Sequence, residues 1–187
     1  MTRTLLIIDI QNDYFPGGAH PLVGPEAAAT AAARLLASHR EDAQPVVHVQ
    51  HVWDAPDAAF FAPGTAGVEI HPLVAPIEGE PVVVKAQPNA FLGTDLDERL
   101  RAAGADDDGV VIVGMMSSMC VDATVRAAAD LGYSVTVVHD ACAAPDLTFG
   151  DELVPAAQVH AAFMAALADS YAEVVSVDEL LGGSTAP

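Results

Sequence analysis

The sequence predicts an α/β protein with a parallel sheet and helices on both of its faces. Short β-branched runs alternate along the chain with Ala-rich stretches of helical length. Those runs are apolar almost throughout, without strict alternation, as strands covered on both sides should be. A βα rhythm of this kind closes through right-handed crossovers. The 187 residues suffice for one domain with its own core.

The first strand is expected at Thr4–Asp9, where TLLIID is apolar up to a closing carboxylate. The Ala-rich stretch Glu26–Ser38 follows as a helix, and Val46–His51 as the second strand. The third strand, Val82–Lys85, is the run VVVK, and Asp95–Ala103 is the next helix. Val110–Gly114 and Ser134–Asp140 read as strands on either side of the helix Val121–Leu131. A helix at Glu152–Ala168 and a last strand at Glu173–Ser176 complete the pattern. Residues 52–80 break the rhythm, with four prolines and two glycines before Gly79. A loop that long inside a compact domain is expected to act as a lid or binding loop. The expected domain spans residues 1–181, and GGSTAP at 182–187 is expected to be a flexible tail.

Charge excludes whole classes of function. Seven Lys and Arg against 26 Asp and Glu give a formal net charge of −19. So few cations cannot neutralise a phosphate backbone, and an anionic membrane surface would repel the chain. No apolar run reaches the ~18 residues of a membrane span. MTRTLLIIDIQND meets acids at Asp9 and Asp13 and has no cleavage pattern, so it reads as a buried strand, not a signal peptide. Two cysteines cannot build a disulfide framework, and a reducing cytoplasm is the expected location.

In open parallel sheets, ligands bind beyond the carboxyl ends of the strands. The polar residues expected there are Asp9, His51, Lys85, Asp140 and the segment GMMSSMC. Cys120 directly precedes a good helix, VDATVRAAADLGY, whose free amides would lower the thiol pKa. It reads either as a nucleophile or as a small core residue. Lys85 is the chain's single lysine. It reads as a point charge buried beside an anion, or as a snorkelling edge-strand residue. Asp9 either pairs with a cation and does chemistry, or caps the turn after it, a role better suited to Asp13. Cys142 reads as structural, and Asp140 as a residue that orders its loop. Together Asp9, Lys85 and Cys120 supply a base, a cation and a thiol, the set that thiol-based acyl transfer needs.

DIQNDYF, VVVKAQPNAFLGTDLDERLRAAG, GMMSSMCVDATVRAAADLGY and VTVVHDACAA together resemble the isochorismatase-like cysteine hydrolases. FFAPGTAGVEIHP and LVPAAQVHAAFMAAL fit as well, so the resemblance spans nearly the whole chain. The family includes nicotinamidases, N-carbamoylsarcosine amidases and ureidoacrylate amidohydrolases. The resemblance implies a three-layer α/β/α fold, a six-stranded parallel sheet in order 3-2-1-4-5-6, and Asp9, Lys85 and Cys120 as a catalytic triad. In that order Lys85 sits two strands from Asp9, a gap for its long side chain and a twisted sheet edge to close. A non-proline cis peptide is implied at Met115–Met116, aiming the Met116 and Cys120 amides at one point as an oxyanion hole. A homo-oligomer, dimer or tetramer, is implied too, with a small molecule as substrate and no cofactor.

Two departures narrow the expectation. The Asp-x-His metal motif of nicotinamidases is replaced by VQHVWDAPD, and His48 and His51 point to opposite faces of a strand. No metal site is therefore expected. Isochorismatases proper need no cysteine, so Cys120 favours cleavage of a C–N bond in an amide, ureido or lactam group. Enol-ether hydrolysis through Asp9, or a silent binding protein on the same fold, are the alternatives. Around the pocket, Phe15, Trp53 and Phe91 are expected to line it, with Gln11 and His51 as polar handles. Phe60 and Phe61 are expected on the lid or at a subunit contact.

Overall fold

The structure, a computed structural model, describes residues 3–182. Six parallel strands form the sheet: β1 (Thr4–Ile8), β2 (Val46–His51), β3 (Val82–Lys85), β4 (Val110–Met115), β5 (Val135–Ala143) and β8 (Glu173–Val175). They lie in the order β3-β2-β1-β4-β5-β8. This is the implied order, with the last strand numbered eighth because a hairpin, β6 (Leu147–Phe149) and β7 (Glu152–Val154), intervenes.

All five residues of β1 are buried, since it is central and covered on both faces. On one face Leu5 and Ile7 pack with Ala28, Ala32 and Leu35 of α1 (Pro25–Glu41). On the other, Leu6 and Ile8 pack with Leu96 and Leu100 of α2 (Leu96–Ala102), Val125 of α4 (Asp122–Asp130) and Leu167 of α5 (Ala156–Ser170). Two short helices, α3 (Ala105–Asp108) and α6 (Val177–Gly182), complete the set. No helix among the described residues is long and apolar enough to cross a membrane.

Three boundaries differ from expectation. α5 starts at Ala156 because Pro155 serves as its N-cap; in a helix interior it would lack the amide and clash with the preceding turn. The residues expected to open that helix form β7 instead. β5 continues past Asp140 to Ala143, with its register against β4 shifting between Ile112 and Gly114. A Cβ at Gly114, where φ is 137°, would run into the Ile8 carbonyl, so the closest approach of β4 to β1 requires glycine. Of the expected tail, Gly182 ends α6 and residues 183–187 lie outside the described residues.

Residues 52–80 are no free lid. The Asn12 and Asp13 amides donate to Glu69 O and Gly67 O at 3.0 and 2.9 Å, and the His71 amide donates to Ile10 O at 2.8 Å. Asp13 takes the local role assigned to it, accepting from the amides of Ala19 at 3.0 Å and Phe61 at 2.6 Å. The loop is a strap sewn along the segment that leaves β1.

Candidate active site

β1, β2 and β3 deliver Asp9, His51 and Lys85 to the same end of the sheet, with His51 directly opposite Lys85 in register. At Asp9 the backbone turns into the left-handed region, φ 51°, immediately after the strand. Aspartate tolerates that region better than most residues, and such outliers concentrate at functional sites. Cys120 comes from a single π-type turn (Ser117–Val121) between β4 and α4, preceded by a cis peptide at Met115–Met116.

The gap across β2 is closed by the Lys85 side chain. Its ammonium lies 2.7 Å from Asp9 Oδ2, within an ion pair whose two side chains are 0% exposed. It also donates to Cys120 Sγ at 3.3 Å, His51 Nδ1 at 3.0 Å and the Gln87 carbonyl at 3.0 Å. The snorkelling alternative for Lys85 is thereby excluded.

Burial dominates the electrostatics. It pushes the Asp9 carboxyl up from its ordinary value, and the Lys85 charge offsets only part of that. His51 is lowered to about 4 by desolvation and by the adjacent Lys85, so it is neutral at pH 7. Its Nδ1 accepts from the ammonium, which places the imidazole proton on Nε2. The thiol of Cys120 is also pushed up, first by burial and then by the Asp9 charge, with Lys85 pulling the other way. The lowering expected from a helix N-terminus is reversed, because desolvation outweighs the partial charge of free amides. Cys120 therefore rests as a neutral thiol beside a carboxylate. Cys142 is buried and raised to about 12, its thiol turned onto the Val138 carbonyl at 3.4 Å.

Donor atoms of Asp9, His51 and Cys120 lie within 4.8 Å of one another, a grouping that could hold a metal ion. The ammonium already occupies their midst, at 2.7, 3.0 and 3.3 Å. A divalent ion would have to displace it or sit against its charge. His48 does not join the group; it is buried and bonded through Nε2 to Glu80 at 2.8 Å.

The remaining candidates divide. Gln11 is fully buried and is no substrate handle. Its Nε2 donates to His51 O at 2.9 Å and Val68 O at 2.7 Å, while Oε1 accepts the His51 amide at 2.8 Å. It clamps His51 and the strap instead. Phe15 is 6% exposed and stacks on His71 at 3.8 Å between ring centroids; the shallow cleft it borders, with Asn12, Gly67 and His71, includes none of Asp9, Lys85 and Cys120. Phe61 is fully buried and therefore not a subunit contact within this fold; it packs edge-on against Tyr14 at 4.7 Å. Phe91 is half-buried and stacks on Tyr133 at 6.2 Å. Trp53 is 36% exposed, edge-on to half-buried Phe60 at 5.4 Å. Asp140 lies within β5 and not in a loop, and it accepts the Val177 amide at 2.9 Å where α6 begins.

Sequence reasoning gave no specific role to two residues that bear on the cluster, though Tyr14 is among the aromatics it places in the loops at the strand ends. Tyr14 is buried, and its phenol is pushed well up by desolvation and then by the charges of Cys120 and Asp9. Buried Ser117 donates to Ala143 O at 3.1 Å and meets His160 Nδ1 at 2.9 Å, bracing the turn that carries Cys120. The aromatic in DIQNDYF was visible in the sequence, but nothing there pairs Ser117 with a histidine on α5.

Residues 3–179 match the isochorismatase domain. The isochorismatase-family protein YddQ of Bacillus subtilis is 51% identical over 97% of this chain and 99% of its own. A streptothricin hydrolase of Streptomyces noursei is 38% identical over 89% of this chain and 60% of its own. Among solved structures, an isochorismatase-type hydrolase from Oleispira antarctica superposes with a TM-score of 0.93 at 55% identity, covering 97% of both chains. With sequence, fold and the strand-end cluster in agreement, the chain belongs to the isochorismatase family of hydrolases.

Proposed function

We propose that the protein is a cysteine hydrolase that works without a metal and cleaves a C–N bond of a small amide, ureido or lactam compound. One observation carries the reading: a buried ammonium joins Asp9 and Cys120 at 2.7 and 3.3 Å. A carboxylate with a raised pKa is a stronger base than an ordinary aspartate. Asp9 takes the Cys120 proton as sulfur bonds to the carbonyl carbon. The amides of Met116 and Cys120 hold the resulting oxyanion. The C–N bond breaks and the amine leaves with the proton from Asp9. Water then gives its proton to Asp9 and adds to the thioester, and the departing thiolate recovers that proton. Throughout, Lys85 offsets the negative charge that moves between oxygen and sulfur.

Ammonia release across small amides, ureido acids and lactams tests the reading. Cys120→Ala and Asp9→Asn should abolish turnover, and mass spectrometry of the quenched wild-type reaction should find an acyl group on Cys120. Full ammonia release in Cys120→Ala would refute the thiol mechanism, and cleavage of an enol ether by that variant, with no amide turnover in wild type, would favour hydrolysis through Asp9.

A further inference from the structure

We propose that the site accepts neutral or cationic acyl compounds and rejects those with an anionic group beside the scissile carbonyl. This deepens the hydrolase reading and rests on it for the word substrate.

The inference follows from where the positive charge is held. All seven Lys and Arg lie among the described residues. Arg3 precedes β1, at the opposite end of the sheet from Asp9, and donates to Thr136 at 3.1 Å. Arg34 and Arg40 are on α1, which covers the face away from Cys120; they pair with Asp178 and Glu80, both at 2.7 Å. Arg99 and Arg101 are tied to Asp95 and Asp97 one turn back along their helix, at 2.7 and 3.0 Å. Arg126 is tied to Asp122 at 2.8 Å and lies over Tyr171, ahead of β8.

That leaves Lys85. An ammonium has three protons, and this one already faces four acceptors: Asp9, His51, Gln87 and Cys120. It has no donor left for a substrate carboxylate. His51 is neutral at pH 7. The cleft of about 610 Å³ beside Lys85 is lined by Val52, Val84, Leu92 and Gln87, with the exposed Asp54 as its acid. From His51 a row of packed rings runs through the fully buried Phe61 to half-buried Phe60 and exposed Trp53, with ring centroids 5.9, 5.0 and 5.4 Å apart in turn, so that Phe60 and Trp53 are the members that reach the surface. Aromatic faces attract cations and apolar groups. An anion there would lose its water and find no cation to pair with, only the neutral donors His51 Nε2–H and the Gln87 amide.

Three methanethiosulfonate reagents with one reactive group test this on the thiol itself: methyl, 2-aminoethyl and 2-sulfonatoethyl. Each forms a mixed disulfide with Cys120 and releases methanesulfinate. Rates are read by peptide mass mapping, which separates Cys120 from Cys142, and each is divided by the rate with a free small thiol. The sulfonate should react at least about tenfold more slowly than the ammonium reagent, and salt should narrow the gap. Equal rates, or a faster sulfonate, would overturn the proposal. This result stands whether or not the protein hydrolyses any amide, so it separates the charge inference from the hydrolase reading. Pentanamide, 4-aminobutanamide and succinamate extend the test to turnover: succinamate should be the poorest, and its being the best would also overturn the proposal.

Discussion

Replacing Lys85 with Met keeps the volume of the side chain and removes the charge that holds Asp9 at 2.7 Å. Asp9 is 0% exposed and would keep only the hydrogen bonds from the Cys120 side chain and the His51 backbone, so the carboxylate would be left without its counter-charge. A buried charge stripped of its partner costs about 3–5 kcal/mol. The carboxyl can escape that cost by protonating. From an ordinary value of 3.8, doing so at pH 7 costs about 4 kcal/mol, at 1.36 kcal/mol per pH unit. Both routes give the same magnitude. They differ in pH dependence, which makes the experiment sharp. A carboxyl kept neutral in the fold has a raised pKa, so its contribution is fully present below 3.8 and is lost as pH rises. Asp9 is already raised in wild type, so the deficit of Lys85→Met should be largest at neutral pH, at most about 4 kcal/mol, and should close as pH falls to the raised value of the wild-type carboxyl. Urea unfolding of both proteins from pH 4 to 8 measures it, alongside kcat/KM, which should fall by at least ~10². A deficit that does not vary with pH, or a well-folded variant with a near-wild-type rate, would refute the assignment of Lys85 as the counter-charge of Asp9.

Gln11→Leu removes three hydrogen bonds from a fully buried amide and should cost about 2–4 kcal/mol in urea unfolding, with kcat falling as His51 loses its clamp. Glu80 should govern acid stability. Burial alone would raise its carboxyl, but hydrogen bonds from Arg40, His48 and the Ile77 amide outweigh it and bring it from 4.5 to about 2. The stability this gives is present above pH 4.5 and is lost as pH falls toward 2. Thermal melts of Glu80→Gln should lose about 3 kcal/mol at pH 7 and show a flatter acid limb than wild type. Dialysis against a chelator should leave kcat unchanged, and added Zn²⁺ should inhibit only by displacing the ammonium. Zinc-dependent recovery of activity would mean that Asp9, His51 and Cys120 hold a metal.

The layers of this fold were legible because the strands are apolar on both faces, and that pattern survives whatever the loops do. Asp9, Lys85 and Cys120 could be picked out as polar residues at strand ends. Their chemistry could not be read so far. The sign of the Cys120 pKa depends on how completely its turn is buried and on a carboxylate 111 positions earlier in the chain, neither of which helix-end reasoning contains. Gln11 looked available because a polar side chain near a strand end has no visible partner in sequence; its partners are 40 and 57 positions away. The hairpin of β6 and β7 was missed because LTF and ELV are too short to give a period. Pro155 was the overlooked marker of where α5 begins.

The sewn strap changes what a specificity swap in this protein must exchange. Loops that shape a pocket can usually be traded between relatives as separate cassettes on a fixed scaffold. Here the strap takes its position from Gln11, Asn12 and Asp13, which follow Asp9 after a single residue, Ile10. Gly67 is also part of the fit, since a Cβ there would run into the Asp13 carboxylate. The transferable unit is therefore two pieces, the segment from Asp9 to Phe15 together with residues 52–80. A chimera carrying only the second piece would meet mismatched stitching at the point where the chain turns out of β1.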